Sequence, residues 1–280
     1  MVNCCAGFGI VFAWAALILM IFGQVGQLGT SVFPRHLRII AIDTAGVAKA
    51  LSSAARQSGI SVANVTTSGN FSDVYSTQPI GKGYFSKDAN ETYHGGLRKT
   101  YEWGLYSYCT TNGDLGAPRS YCVHSSIHNG IDPVAVLLQD APTKYDELLK
   151  SIIPRQMFDI SNNLDFYTNR SSIVILVATI TTFLAAILGL FSQRGGFFFA
   201  AFFNIISALM LSAGLAMYQI LYSGLQNYID AATSAGVDVG VSLLYGNAMA
   251  ILWAANALLY LSIVPYVVAC CTGRKTTVKA

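Results

Sequence analysis

Four stretches, Ala6 to Leu28, Ile173 to Phe191, Phe197 to Leu221 and Val241 to Cys271, each run for at least 19 residues without an Asp, Glu, Lys, Arg or His. A bilayer's hydrocarbon core takes roughly 20 apolar residues in helical form, so each stretch can cross it once. The whole chain of 280 residues is 53% hydrophobic and only 11% charged, far below the roughly one quarter charged that soluble domains carry. A multi-pass membrane protein is expected. The net charge of +3 makes no basic stripe of the kind nucleic acid needs, which excludes that partner class. Met1 to Pro34 has no charged side chain and an apolar core longer than the roughly 7–15 residues of a signal-peptide core. It reads as a retained first helix, with a cleaved signal peptide as the alternative.

Four spans put both termini on one side, and the remaining charges say which. The turn 192–196 and the tail 272–280 carry Arg194, Arg274, Lys275 and Lys279 and no acid, and basic short loops mark the cytoplasm. The expected order is a first span over 1–29, an extracellular domain over 30–172, and spans over 173–191, 197–222 and 241–271. A second extracellular loop covers 223–240. Sequons at Asn64, Asn70 and Asn90 all fall in the long loop, where lumenal glycosylation would reach them; Asn169 lies too near the second span.

Cys109 and Cys122 lie in the same loop. In an oxidising exterior two such cysteines pair, closing a loop around the turn signal Asn112-Gly113-Asp114 for about 3 kcal/mol of chain entropy. Free thiols are the alternative. Cys4, Cys5, Cys270 and Cys271 sit at the cytoplasmic ends of the first and fourth spans and are palmitoylation candidates, or simply small apolar helix-end residues.

A loop of this length should fold. Apolar residues at near-helical spacing from Arg35 to Gln57 suggest a helix. Alternation over Tyr101–Tyr108, and part of Ser120–Ile127, suggests short antiparallel strands. Asp132 followed by Pro133 is a helix start, and a further helix is expected over Thr143 to Ile153. The fold class is an all-α transmembrane four-helix bundle with a large mixed α/β extracellular domain, which carries a small antiparallel sheet and one disulfide.

Four spans, a large first outer loop, the run Gly104-Leu105-Tyr106 and then Cys109 and Cys122 resemble the claudin superfamily. Within it the chain is similar to the fungal claudin-like proteins of the Sur-seven/PalI type found in eisosomes and cortical patches. That family places a Gly-Leu-Trp-like element before a cysteine pair; here Tyr106 stands where the pattern has Trp, with Trp103 just ahead. The resemblance implies a structural or organising role in plasma-membrane domains, touching endocytosis, cell-wall synthesis or pH sensing. The tail is short for a relative, which turns partner recognition toward the outer loop or the spans.

No reactive constellation emerges for an enzyme, and no cofactor is implied. Spans free of ionisable groups argue against a proton-coupled transporter. Asn204, Asn247 and Asn256 supply amides that hydrogen-bond between helices or line a polar path for an ion-flux subunit. Small residues at four-residue spacing form two seams, Ala208/Ser212/Ala216 and Gly246/Ala250/Ala254, which pack spans within one bundle or between copies. His124 and His128 share helical spacing but lack a third ligand. Asp230 and Asp238 read as solvated rather than calcium-binding. The expected partners are membrane lipids, further copies of the chain and other membrane-domain proteins.

Overall fold

A computed structural model of the protein describes residues 4–28, 36–58, 71–76, 85–86, 96–112, 121–123, 126–127, 130–153, 155–191, 194–234, 236 and 239–272. The chain forms two compact units. The spanning unit comprises 1–24, 171–216 and 249–280, and the sheet unit comprises 25–170 and 217–248.

Helices α1 (Cys4–Gln24), α5 (Arg155–Leu190), α6 (Arg194–Ser234) and α7 (Asn247–Thr272) each hold an apolar stretch long enough to cross a membrane. Their apolarity runs all round, as lipid-facing helices require. One face still turns inward. Ala13, Ala186, Ala200, Ala201 and Ala269 pack with Phe197 around the buried ring of Tyr266. That ring fits because Gly9 and Gly189, where it lies, carry no side chain. Long as they are, α5 with 36 residues and α6 with 41 would measure about 54 and 62 Å at 1.5 Å per residue, and both contribute residues to the sheet unit. The helix expected from 173 therefore begins at Arg155, and the one expected to end near 222 continues to Ser234. α7 continues through Pro265.

The sheet unit is built on β1 (Ile40–Asp43), β2 (Phe85–Ser86), β3 (Thr100–Trp103), β4 (Tyr108–Thr111), β5 (Tyr121–Val123) and β6 (Ser242–Tyr245), in the order β2-β5-β4-β3-β1-β6. All pairs are antiparallel except the two-residue β2–β5 pair. Two expectations are corrected here. Residues 35–57 are not one helix: Ile39-Ile40-Ala41-Ile42, β-branched at three of its four positions, is buried on both faces, which suits a strand held between two neighbours. Helix α2 starts only at Val47 and ends at Ser58. Likewise 241–246 is not the start of the fourth span. Its residues 242–245 form β6, registered Ile40↔Tyr245 and Asp43↔Ser242 on β1, so the segment between α6 and α7 donates a strand to the sheet.

Two short helices complete the unit, α3 (Pro133–Asp140) and α4 (Asp146–Ile152). Asp132 caps α3 as read from the sequence, its Oδ1 accepting from the Ala135 amide at 2.9 Å, with Pro133 in the first turn. Ile42, Val47, Leu97, Val134, Leu149 and Leu225 are among the side chains lining a wholly apolar cavity of about 40 Å³.

Candidate functional site

The cysteines and the motif before them occupy one corner of the sheet unit. Cys109 on β4 stands directly opposite Cys122 on β5, both buried, and the disulfide joins them. β3 reaches β4 through a tight turn in which the Gly104 amide donates to the Ser107 carbonyl at 2.8 Å. Trp103, buried at the end of β3, stacks on Tyr101 at 6.0 Å and meets Tyr108 at 5.6 Å. Leu105 is buried. Tyr106 is half-buried, which pushes its hydroxyl up to about 12, and its carbonyl accepts from the Ser126 amide.

Gly104 has a specific reason to be glycine. A methyl there would collide with the Gly26 carbonyl and stand 3.0 Å from the Gln27 Cβ. The 26–27 turn that follows α1 is pressed against this corner and held by side chains. Gln27 adopts φ 64°, its carbonyl accepts from the Ser107 hydroxyl, and its amide nitrogen reaches Leu37 O at 3.2 Å and Glu102 Oε2 at 3.3 Å. Glu102 is 2% exposed and is also faced by Arg38 at 3.6 Å. Unpaired, that carboxylate would be costly; paired, it locks 27, 38 and 102 together. A second buried cluster lies beside it. Tyr101 donates to Asp140 Oδ2 at 2.8 Å and accepts from the Arg98 amide at 3.1 Å. Burial first, then the Asp140 charge, pushes the Tyr101 hydroxyl well above its ordinary value. These groups bond to one another, with Gln27 Oε1 and Arg38 Nε left buried without a hydrogen-bond partner among the described residues, and their chemistry is that of a clasp. The features that carry it, Gly26, Gln27 and Glu102, were not singled out from the sequence; the one signal for them was a polar Gln27 near the end of the apolar stretch 6–28.

Four helices long and apolar enough to cross a membrane, one sheet drawing strands from both loops and a disulfide placed just after a glycine-led corner make up the architecture. The sequence matches the SUR7/PalI family over residues 5–264. The chain belongs to the SUR7/PalI family. No curated protein matches it. For this SUR7/PalI member the resemblance in the Gly104-Leu105-Tyr106 element acquires a physical content: Gly104 leaves room for the 26–27 turn to pack on the corner between β3 and β4.

Inside the spanning unit of the family member, hydrogen bonds join the helices. Gln24 donates to Thr179 at 2.5 Å, Thr182 meets Ser207, Asn204 donates to Ser262 at 3.0 Å and Asn256 to Ser212 at 2.8 Å. Each such bond is worth about 0.6 kcal/mol in measured cases. The Asn204 and Asn256 carbonyl oxygens are buried without a partner among the described residues. Ala208 is buried and Ser212 half-buried, whereas Ala216 is exposed.

The other small-residue seam does not pack as one row within the chain. Gly246 precedes α7 and packs on the Arg38 carbonyl in the sheet unit, while Asn247, Ala250 and Ala254 are exposed. The inward face of α7 is instead Leu252, Ala255, Leu259 and Ser262. Spacing alone does not say which way a row of alanines points. Cys270 is half-buried and free. Asn64, Asn70, Asn90, His124, His128 and Asp238 lie outside the described residues, as do the side chains of Cys4, Cys5 and Cys271. Asp230 is exposed and faced by Gln226 at 3.3 Å. Among the described residues no three His, Cys, Asp or Glu side chains gather to hold a metal ion.

Proposed function

We propose that this protein is a non-enzymatic organiser of the plasma membrane, with copies associating side by side into lateral domains of the eisosome or cortical-patch kind. Both termini are cytoplasmic in this reading and the sheet unit is extracellular. Effects on endocytosis, cell-wall synthesis or pH response then follow from which proteins and lipids such a domain retains. Membership of the SUR7/PalI family supports it. The observation that carries it is the outward row Ala250, Ala254 and Ala257 on α7. In lipid no hydrophobic force drives helices together, and small side chains that let backbones approach are what association uses. This row is not spent on packing within the chain.

The test is size and distribution. Full-length protein extracted in mild detergent should run as a species larger than a monomer, and tagged protein should collect in patches. A monomer at every concentration, spread evenly over the cell surface, overturns the reading. Asn64, Asn70 and Asn90 as glycan carriers, and Cys4, Cys5, Cys270 and Cys271 as palmitoylation sites, belong to the same proposal; glycosidase and hydroxylamine mass shifts check them.

A second reading, a channel or regulatory subunit for ion (calcium) flux, is favoured by the run of buried amides and hydroxyls from Gln24 through Thr182 and Asn204 to Ser262. Loss of flux in Asn204→Leu or Asn256→Leu at unchanged surface level would support it. Unchanged flux would remove it.

A further inference from the structure

One cation stands apart from the others near the spans. After Arg155 the chain carries five Lys or Arg side chains, and four of them, Arg194, Arg274, Lys275 and Lys279, lie in the α5–α6 turn and the tail. The fifth, Arg170, is at the sheet-unit end of its span. From residue 170 to Leu190, where α5 ends, is 20 residues, about 30 Å at 1.5 Å per residue. That matches the thickness of the hydrocarbon core, so Arg170 stands at its edge, at the depth of lipid headgroups. Below it on the same face of α5, Val174, Val177, Ile180 and Leu184 are half-exposed or exposed, an apolar stripe turned to lipid. Above it Phe166 and Tyr167 are 54% and 44% exposed, at the level where aromatic side chains gather in membrane proteins.

Helical side chains lean toward the N-terminus, which for α5 is the direction out of the hydrocarbon. Arg170 follows it, and its guanidinium lies over the Phe166 ring, 5.1 Å from the centroid. With one face resting on a ring, its N–H donors, which lie in the guanidinium plane, point outward at the edge. The side chain is exposed, and no carboxylate pairs with it among the described residues.

We infer that Arg170, with Phe166 and Tyr167, binds the phosphate of a membrane glycerophospholipid whose acyl chains run down the apolar stripe beneath. The inference goes beyond self-association and does not depend on it. Charge and depth select this occupant together. The planar fork of a guanidinium matches two oxygens of a phosphate, and a phosphate is what such a lipid carries at the edge of the hydrocarbon. A water-borne anion would meet the same charge but gain nothing from the stripe.

The experiment uses the full chain in mild detergent with phosphatidylglycerol added, and native mass spectrometry to measure the affinity of the lipid held most tightly. Arg170→Gln should weaken that affinity about tenfold, as the loss of a charge-assisted hydrogen bond does. Phe166→Leu, which takes the ring from under the guanidinium, should weaken it about threefold. Arg170→Lys, which keeps the charge without the fork, should fall between wild type and Arg170→Gln. Arg56→Gln, at an exposed cation on α2, should leave it unchanged. Each variant should protect the buried Cys109–Cys122 bond from mild reductant as wild type does, which separates lost binding from lost fold. Wild-type affinity in Arg170→Gln, or an equal loss in Arg56→Gln, overturns the site. Displacement of the lipid by inorganic phosphate as readily as by a short-chain phosphatidylglycerol overturns the lipid as its occupant.

Discussion

Replacing Gly104 by alanine should open the sheet unit, and the size of the effect can be worked out from the corner. The added methyl would stand 3.0 Å from both the Gly26 carbonyl carbon and the Gln27 Cβ, and closer still to the Gly26 oxygen. Carbon atoms rest at about 3.5–4.0 Å, so the 26–27 turn must retreat by about an ångström. It has no slack on its other side, because Gly26 itself packs on the Leu37 carbonyl. Overpacking of this kind costs about 1–3 kcal/mol. Moving Gln27 also strains its bonds to Ser107 and Glu102, each worth about 1 kcal/mol. A total near 3 kcal/mol raises the population of the opened unit by about 100-fold, at 1.4 kcal/mol per factor of ten.

The buried disulfide supplies the assay: with Cys109 and Cys122 at 1% and 0% exposure, reduction and thiol labelling in mild reductant report opening. Labelling should quicken about 100-fold in Gly104→Ala. Gly224→Ala on α6, where a methyl meets nothing within 4 Å, should slow it or leave it unchanged, because alanine favours helix by about 1 kcal/mol over glycine. Equal rates in Gly104→Ala and wild type would refute the account of the corner.

Replacing Cys109 and Cys122 together by alanine should cost the sheet unit about 3 kcal/mol, from the chain entropy of a 13-residue separation, seen as a fall in its melting temperature. Val134→Ile at the apolar cavity should gain up to about 1 kcal/mol, since 40 Å³ at about 24 cal/mol per Å³ sets the ceiling; a loss would mean the cavity walls cannot take a methyl. Tyr101 gives a pH limb. Its hydroxyl is raised when folded, so its contribution is present in full below the unfolded value near pH 10 and is lost as pH climbs from there toward the folded value. Tyr101→Phe should be less stable at pH 7, leaving Asp140 short of a donor, and should show a flatter alkaline limb.

How much of this could be read from the residues depends on the physics behind each feature. The four spans were legible because charge is expelled from hydrocarbon whatever the packing. The disulfide was legible because of the polar stretch that holds it, and the start of α3 because Asp132-Pro133 acts locally. β1 and β6 were not. Ile39 to Ile42 and Val241 to Tyr245 are short apolar runs beside genuine helices, and only their pairing with each other and with β3 makes them strands. The Gly104 corner was visible as a motif but not as a contact, since Gly26 lies far away along the chain. The alanines of α7 were visible as spacing, but their direction is set by which side Leu252 and Leu259 bury.

The strand order has a consequence for biosynthesis. β1 pairs with residues near 100 on one flank and near 245 on the other, so its second neighbour is translated about 200 residues after it. At roughly 5–20 residues per second this leaves that flank bare for some 10–40 s, an unpaired edge of the sort chaperones bind. Only when the ribosome has passed the last loop can the sheet close. A chain cut short before its fourth crossing therefore advertises itself as unfinished on the same side of the membrane as its sulfur bridge.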